Sequence, residues 1–555
     1  MMMKKVMKLI VMIVLMLCSA CADTQESSAG PAITDGIYIF YTSDVHCGVD
    51  DNLGFAKLKA LVNDTKAEHE NVLLVDLGDY VQGGTIGALT RGSAIIELMN
   101  AMEYDITTIG NHEFDYGTER LGELLDMAEF DITLCNADYT GNAKSIFADI
   151  PPYIIKDFNG VKVAFIGVLT PWVVTSSTPK YFMEGNQYVY GFANSDDGTE
   201  LAEKVQSAVD AARSDHADYV ILLSHLGSVQ PLSPNDSISL IRRTRGIDAV
   251  LDGHSHSVII GDRYPNADGE DVILSSVGTK MENAGELIIA PDGSIDTLLI
   301  SEYNREDEQM RQAIDQENEA LQEILSAEAG TLEFDLPITD ENGIRIVRSR
   351  ETTAGNFVAD AFRYAGGTDA ALINGGGVRA ALEQGTVTYG DLLNVMPFGN
   401  YLCTSECTGQ QILDALEYCS KETQAITSFD GRAAGEFGAF LQVSGLKYTI
   451  DTSVDSGVRQ DENGMMTSIE GERRVKDVYI LQDGEYVPLD PAGRYTVAST
   501  EYVLADSGDG NTAFKNSVPL IQNGTPDIQV LIDYLESLGT VPDSYRQAEG
   551  RITVK

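Results

Sequence analysis

Ile106-Thr107-Thr108-Ile109-Gly110-Asn111-His112-Glu113-Phe114-Asp115 sets a short apolar run directly before a cluster of metal-ligating and acid–base side chains. The same order recurs along the first half of the chain. Ile37 to Thr42 leads into Ser43-Asp44-Val45-His46, Val72 to Val75 into Gly78-Asp79, Tyr219 to Leu223 into Ser224-His225, and Ala249 to Leu251 into Gly253-His254-Ser255-His256. Amphipathic segments lie between these runs, and Val161 to Val168 adds another, so Ile37 to about Ala290 reads as buried strands alternating with helices. In an open α/β sheet the carboxyl ends of the strands share one edge, which brings together side chains about two hundred positions apart. Five of the seven histidines sit at such ends; His69 and His216 do not, and read as surface residues.

Four His (46, 225, 254, 256), two Asp (44, 79) and Asn111 combine carboxylate oxygen with imidazole nitrogen, a donor set suited to Zn, Mn, Co or Fe more than to Ca or Mg. Asp44 and His46, two apart, project to one side of an extended chain. Seven donors are too many for one tetrahedral ion and fit two divalent ions sharing a carboxylate. Ions ~3.5–4 Å apart can hold a bridging hydroxide and neutralise a phosphate in an in-line transition state.

The chain has 555 residues, 43% of them apolar, enough to bury several cores in about two to four domains. Its 38 Lys and Arg stand against 85 Asp and Glu, and the formal charge of −47 repels phosphate polymers, which argues against a nucleic-acid partner. Only the start is strongly apolar. Lys4, Lys5 and Lys8, then Leu9 to Leu17, then Cys18-Ser19-Ala20-Cys21 follow the order of a secretory signal peptide, too short to span a bilayer. We assign residues 1–20 to this signal and 21–34 to a polar tether. The remaining cysteines suggest no pairing, and none is assigned. Tyr303 to Ala329 is rich in Glu and Gln, with Met310, Ile314, Leu321 and Ile324 at helical spacing and Gly330 as a stop, which predicts a linker helix over 303–330. It separates a catalytic domain at 35–302 from a second mixed region at 331–555.

These motifs resemble the calcineurin-like metallophosphoesterases, specifically the 5′-nucleotidase family that includes UDP-sugar hydrolases and ecto-5′-nucleotidases, over nearly the whole mature chain. The resemblance implies an N-terminal metallophosphoesterase α/β sandwich, the linker helix and a C-terminal α/β (α+β) substrate-binding domain. It also implies that Asp44, His46, Asp79 and His256 hold one metal and Asp79, Asn111, His225 and His254 the other, with Asp79 as the bridge. His112 and Asp115 match the family's catalytic dyad, in which the imidazole stabilises the phosphoryl transition state and the carboxylate orients it.

In the second region the family's motifs are Arg350-Glu351-Thr352-Thr353-Ala354-Gly355-Asn356, Asn374-Gly375-Gly376-Gly377-Val378-Arg379 and Phe440-Leu441-Gln442-Val443-Ser444-Gly445. The glycine triplet lacks the Lys-Ser/Thr of a nucleoside-triphosphate loop, but lets the backbone approach a ligand beside the Arg379 fork. By resemblance, Arg350, Asn374 and Arg379 contact phosphate or ribose, Asp509 binds ribose hydroxyls, and Phe440 stacks on the base. The second stacking position falls on Tyr502 or Val503, and Tyr502 is preferred because Val has no π-face.

The expected function is extracytoplasmic, metal-dependent phosphate release from nucleotides, extending to UDP-sugars, by a metal-bridging hydroxide. Ser19 and Ala20 before Cys21 resemble a bacterial lipoprotein signal. That resemblance implies secretion across the cytoplasmic membrane and a lipid anchor on Cys21, at the cell surface or in the periplasm, as the sole membrane contact. Nothing in the sequence sets an oligomeric state. The alternatives are a 2′,3′-cyclic-nucleotide 2′-phosphodiesterase/3′-nucleotidase and, from another class, a non-catalytic nucleotide-binding surface lipoprotein.

Overall fold

A computed structural model describes residues 35–555, except 186, 229–232, 430–431 and 523. The expected signal peptide, Cys21 and most of the tether lie outside the described residues. The first domain contains two six-stranded sheets. One runs in the order Ile295–Ile300, Ala284–Ile289, Ile37–Thr42, Val72–Asp76, Ile106–Thr107, Asp131–Ile132. The other runs Val258–Pro265, Asp271–Val277, Ala249–Asp252, Tyr219–His225, Val161–Leu169, Ile154–Phe158. Four consecutive strands in each are parallel, and such strands need cover on both faces, hence their nearly continuous apolar runs.

That cover is supplied in layers. Ile39, Tyr41 and Val75 of the first sheet pack with Phe165, Ile221 and Leu251 of the second in one buried core, each fully or almost fully removed from solvent. Burying a side chain of this size contributes about 1.5–3 kcal/mol. Helices Gly54–Glu68 and Ser93–Met102 cover the outer face of the first sheet through Phe55, Leu58, Ile95 and Met99. Thr199–Ser214 covers the second through Leu201, Val205 and Val209. The result is an α/β sandwich.

The second domain is built on a five-stranded mixed sheet, ordered Leu441–Ser444, Ala370–Asn374, Arg494–Thr500, Leu402–Thr408, Val518–Ile521. Helix Thr353–Gly366 packs in the core on one side of it and Gly409–Cys419 in the core on the other. The linker helix is shorter than the sequence predicts, Glu308–Leu325. Its start is fixed by Asp307, whose carboxylate accepts from the backbone N–H of Gln309 and Met310. Met310 and Ile314 tie it to the first domain. Gly330 does not stop it: the helix has ended, and Gly330 sits in the strand Glu328–Leu332, where a Cβ would come within 2.5 Å of Leu535.

Candidate active site

Each expected metal ligand sits at or just beyond the end of a parallel strand. Asp44 and His46 follow Ile37–Thr42, Asp79 follows Val72–Asp76, and Asn111 follows Ile106–Thr107. From the second sheet, His225 ends Tyr219–His225, and His254 and His256 follow Ala249–Asp252. The ligand atoms of six of them, all but Asn111, converge in overlapping groups, one of which also takes in His112: Asp44/His46/His256, His46/Asp79/His112 and Asp79/His225/His254, each with all its atoms within 4.8 Å of one another. Asp79 is shared by two of them. Chain reversal at these strand ends is abrupt: Asp44, His46, Asp79, His254 and His256 all adopt left-handed φ between 46° and 70°. Such conformations cost on the order of 1–3 kcal/mol each and persist only where surrounding structure enforces them.

Two buried carboxylates brace the loops around them. Glu113 accepts from the backbone N–H of Tyr80 and Val81 on one oxygen and of Asp79 and Gly110 on the other, at 2.6–3.3 Å, joining the Asp79 loop to the Asn111 loop. Asp252 does the same in the second sheet with different donors: the Ser228 hydroxyl at 2.6 Å, the Ser237 hydroxyl at 2.8 Å and Gly227 N–H at 3.2 Å. Hydrogen bonds through Nδ1 also aim two imidazoles, His46 to Gln82 O at 2.8 Å and His225 to Leu77 O at 2.7 Å, leaving Nε2 toward the cluster.

The electrostatics fit divalent metal ions. Burial holds His46 and His256 well below the usual imidazole range and lowers His254 to about 3, so their lone pairs stay available. At His225 burial opposes protonation, yet the Asp79 carboxylate 3.0 Å away outweighs it and raises the imidazole to about 10. Asp79 thus draws positive charge to the centre of the cluster. Asn111 Oδ1 is buried with no hydrogen-bond partner among the described residues, an open acceptor in a residue that lines the same cavity as Asp79 and His254.

His112 stands at the edge of this cradle, its backbone N–H on Asp79 Oδ1 at 2.8 Å and its Nδ1 2.5 Å from Asp115 Oδ2. Burial disfavours its charged form, but Asp115 and Asp79 more than compensate, and its pKa is raised. Such a pair can carry or orient a proton beside the candidate metal ligands.

One cavity of about 650 Å³ connects this edge to the second domain. Asn374, Arg379, Tyr502 and Asp509, four of the residues expected to meet substrate, line it. The Tyr502 hydroxyl donates to Thr175 O of the first domain at 3.2 Å and accepts from Asp509 N–H at 2.9 Å, so this ring is fixed at the domain junction. Asn374 Nδ2 donates to Asp509 Oδ2 at 3.4 Å.

Two expected contacts are elsewhere. Arg350 does not face the cavity: its guanidinium donates to Ser349 O and to the carbonyls of Gln424, Ala425 and Ile426, anchoring that segment. Arg348, two residues earlier, lines the cavity instead, with no carboxylate among the described residues within ion-pair distance; Glu436 nearby is paired with Arg345 at 2.6 Å. Phe440 is only 1% exposed and belongs to the core under the sheet, since its carbonyl accepts from Gly375 N–H directly before the strand Leu441–Ser444. Phe437, in the preceding loop, lines the cavity. Both misplaced residues have a neighbour of the same type within three positions, and no local pattern separates the two. The glycine triplet also serves packing: a Cβ on Gly375 would lie 2.2 Å from Val347 O and one on Gly376 3.0 Å from Gly438.

Comparison with known proteins agrees with this geometry. Residues 37–258 match the calcineurin-like phosphoesterases and residues 329–516 the 5′-nucleotidase C-terminal domain. A 5′-nucleotidase of Vibrio cholerae is 26% identical over 566 residues, covering 94% of this chain and 93% of that protein. The trifunctional nucleotide phosphoesterase protein YfkN of Bacillus subtilis is 28% identical over 565 residues, covering 93% of this chain and 35% of that protein, so the chain spans about a third of this relative's length. The crystal structure of a 5′-nucleotidase precursor from Thermus thermophilus superposes with a TM-score of 0.78 at 26% identity, covering 94% of this chain and 99% of that one. Both matched segments occur in one chain, in that order, and the superposition runs across the two, so the chain belongs to the 5′-nucleotidase family of calcineurin-like phosphoesterases.

Proposed function

We propose that this protein is a metal-dependent phosphohydrolase that releases the terminal phosphate of nucleotides, acting as a 5′-nucleotidase and extending to UDP-sugars. The observation that carries the reading is the single cavity joining the ligand cluster and His112 to Arg348, Arg379, Phe437, Tyr502 and Asp509. Two divalent ions, one on Asp44, His46, Asp79 and His256 and the other on Asp79, Asn111, His225 and His254, would supply Lewis-acid activation of water and neutralise phosphoryl charge.

The chain's own groups do the rest. Arg379 and Arg348 present cationic forks to the phosphate, and Asp115 orients His112 to stabilise the phosphoryl oxygens or protonate the leaving oxygen. Asp509 and Asn374 take ribose hydroxyls, and Phe437 and Tyr502 flank the base. We place the protein outside the cytoplasmic membrane, held by acylation of Cys21, on the basic–apolar–small order of residues 4–21.

Phosphate release from AMP, UDP-glucose and 2′,3′-cyclic AMP by the purified chain, after chelation and after return of Mn, Co, Zn or Mg, tests this reading. Chelator-sensitive AMP hydrolysis restored by a transition metal supports it. Release from the cyclic substrate alone transfers the assignment to the cyclic phosphodiesterase, and release from none leaves a nucleotide-binding protein.

A further inference from the structure

Beside Phe437 the cavity wall contains a cation that phosphate recognition does not need. Lys421 lies just past the helix Gly409–Cys419 with its side chain 14% exposed, and its ammonium is 4.7 Å from the Phe437 ring centre and 5.3 Å from that of Tyr418. The surrounding hydrogen bonds have a fixed polarity. Tyr418 Oη donates to Asp509 O at 2.7 Å and accepts from Gln460 Nε2, which donates also to Gly464 O. Gln460 therefore turns its Oε1 to Lys421 Nζ, at 2.7 Å. An ammonium has three donors. Among the described residues Gln460 takes one, and Glu422 adds an ion pair at 3.8 Å, longer than a hydrogen bond. Burial disfavours the charged form, so an acceptor offered here replaces lost water.

We propose that Lys421 reads the edge of the base, selecting nucleotides whose base carries a carbonyl there over those carrying an amino group. The inference rests on the nucleotidase reading and names its preferred substrates: 6-oxopurine and uracil nucleotides ahead of adenine and cytosine nucleotides. A base stacked on the face of Phe437 that the Lys421 ammonium overhangs would turn its edge toward that ammonium. A carbonyl oxygen accepts from the unused ammonium donors, whereas an exocyclic amino group sets donor against donor, and a pocket built to hydrogen-bond one group rejects its mismatch.

Two substrate pairs isolate that difference, IMP with AMP and UMP with CMP. In the unmodified chain kcat/KM is expected to favour IMP and UMP by about 10- to 100-fold, the effect of one hydrogen bond to a charged group. Lys421→Met should bring both ratios toward one, and Lys421→Arg should keep their direction. Should Lys421→Met fail to fold, Gln460→Leu, which removes the anchor and keeps the charge, is expected to lower the ratios. Ratios within about twofold of one in the unmodified chain, or ratios unchanged by Lys421→Met or Gln460→Leu, overturn the proposal. Hydrolysis of none of the four overturns the nucleotidase reading and this inference with it.

Discussion

The two ends of the cavity are constructed differently. At the metal end every candidate side chain leaves the carboxyl end of a parallel strand, and buried carboxylates staple the loops in pairs. At the substrate end Asn374 closes a strand, but the other lining residues named come from loops and turns: Arg348 from a turn at 346–350, Phe437 from the loop before a strand, Tyr502 and Asp509 from short helical turns. Strand ends are placed by sheet register, so a motif there has one possible destination. A loop residue is placed by whatever crosses it, and neighbours of the same type can exchange roles.

The sharpest way to break the comparison is at Asp79, the carboxylate common to two of the candidate ligand groups. Asp79→Ala should remove bound metal and with it essentially all turnover, read by metal analysis beside phosphate release; two ions retained would contradict the central role of Asp79. His112→Ala should lower kcat by about 10²- to 10⁴-fold while metal content stays that of the unmodified chain. Turnover near normal would remove the dyad from the mechanism.

The staples themselves differ in a way that two isosteric changes expose. Glu113 faces backbone N–H groups that cannot reverse, so Glu113→Gln sets an amide N–H₂ against donors and should weaken metal affinity by about 10- to 100-fold. Asp252 is held largely by serine hydroxyls, which rotate to accept, so Asp252→Asn should cost distinctly less in the same chelator competition. Equal losses would show that the donor type does not matter.

At the substrate end the expected effects are smaller and divide cleanly. Phe437→Ala should raise KM about 2- to 10-fold with little change in Tm, as expected for loss of a stacking ring. Phe440→Ala should cost about 3–5 kcal/mol of stability, as expected for a buried aromatic. Thermal melts beside steady-state kinetics separate the two, and the reverse pattern would restore Phe440 to the pocket.

Much of the molecule was legible in the chain alone, for a local reason. The apolar runs determine the strands, the turn after each run determines which polar residue leaves the sheet edge, and the strand-end placement of all seven candidate ligands follows from that local order, while the pairing of His112 with Asp115 was implied by the family resemblance. Asp509, Asn374, Arg379 and Tyr502 were legible through their motifs, and they do line the cavity. The choice of Arg348 over Arg350 and of Phe437 over Phe440 belongs to tertiary structure. It depends on the Gln424–Ile426 carbonyls capturing one guanidinium, and on Gly375 pairing with Phe440 and drawing that ring into the core. The same holds for the Gln460–Lys421 polarity and the end of the linker helix before Gly330. Each joins residues far apart in the chain or is set by packing against another element, and no pattern of spacing within a segment encodes it.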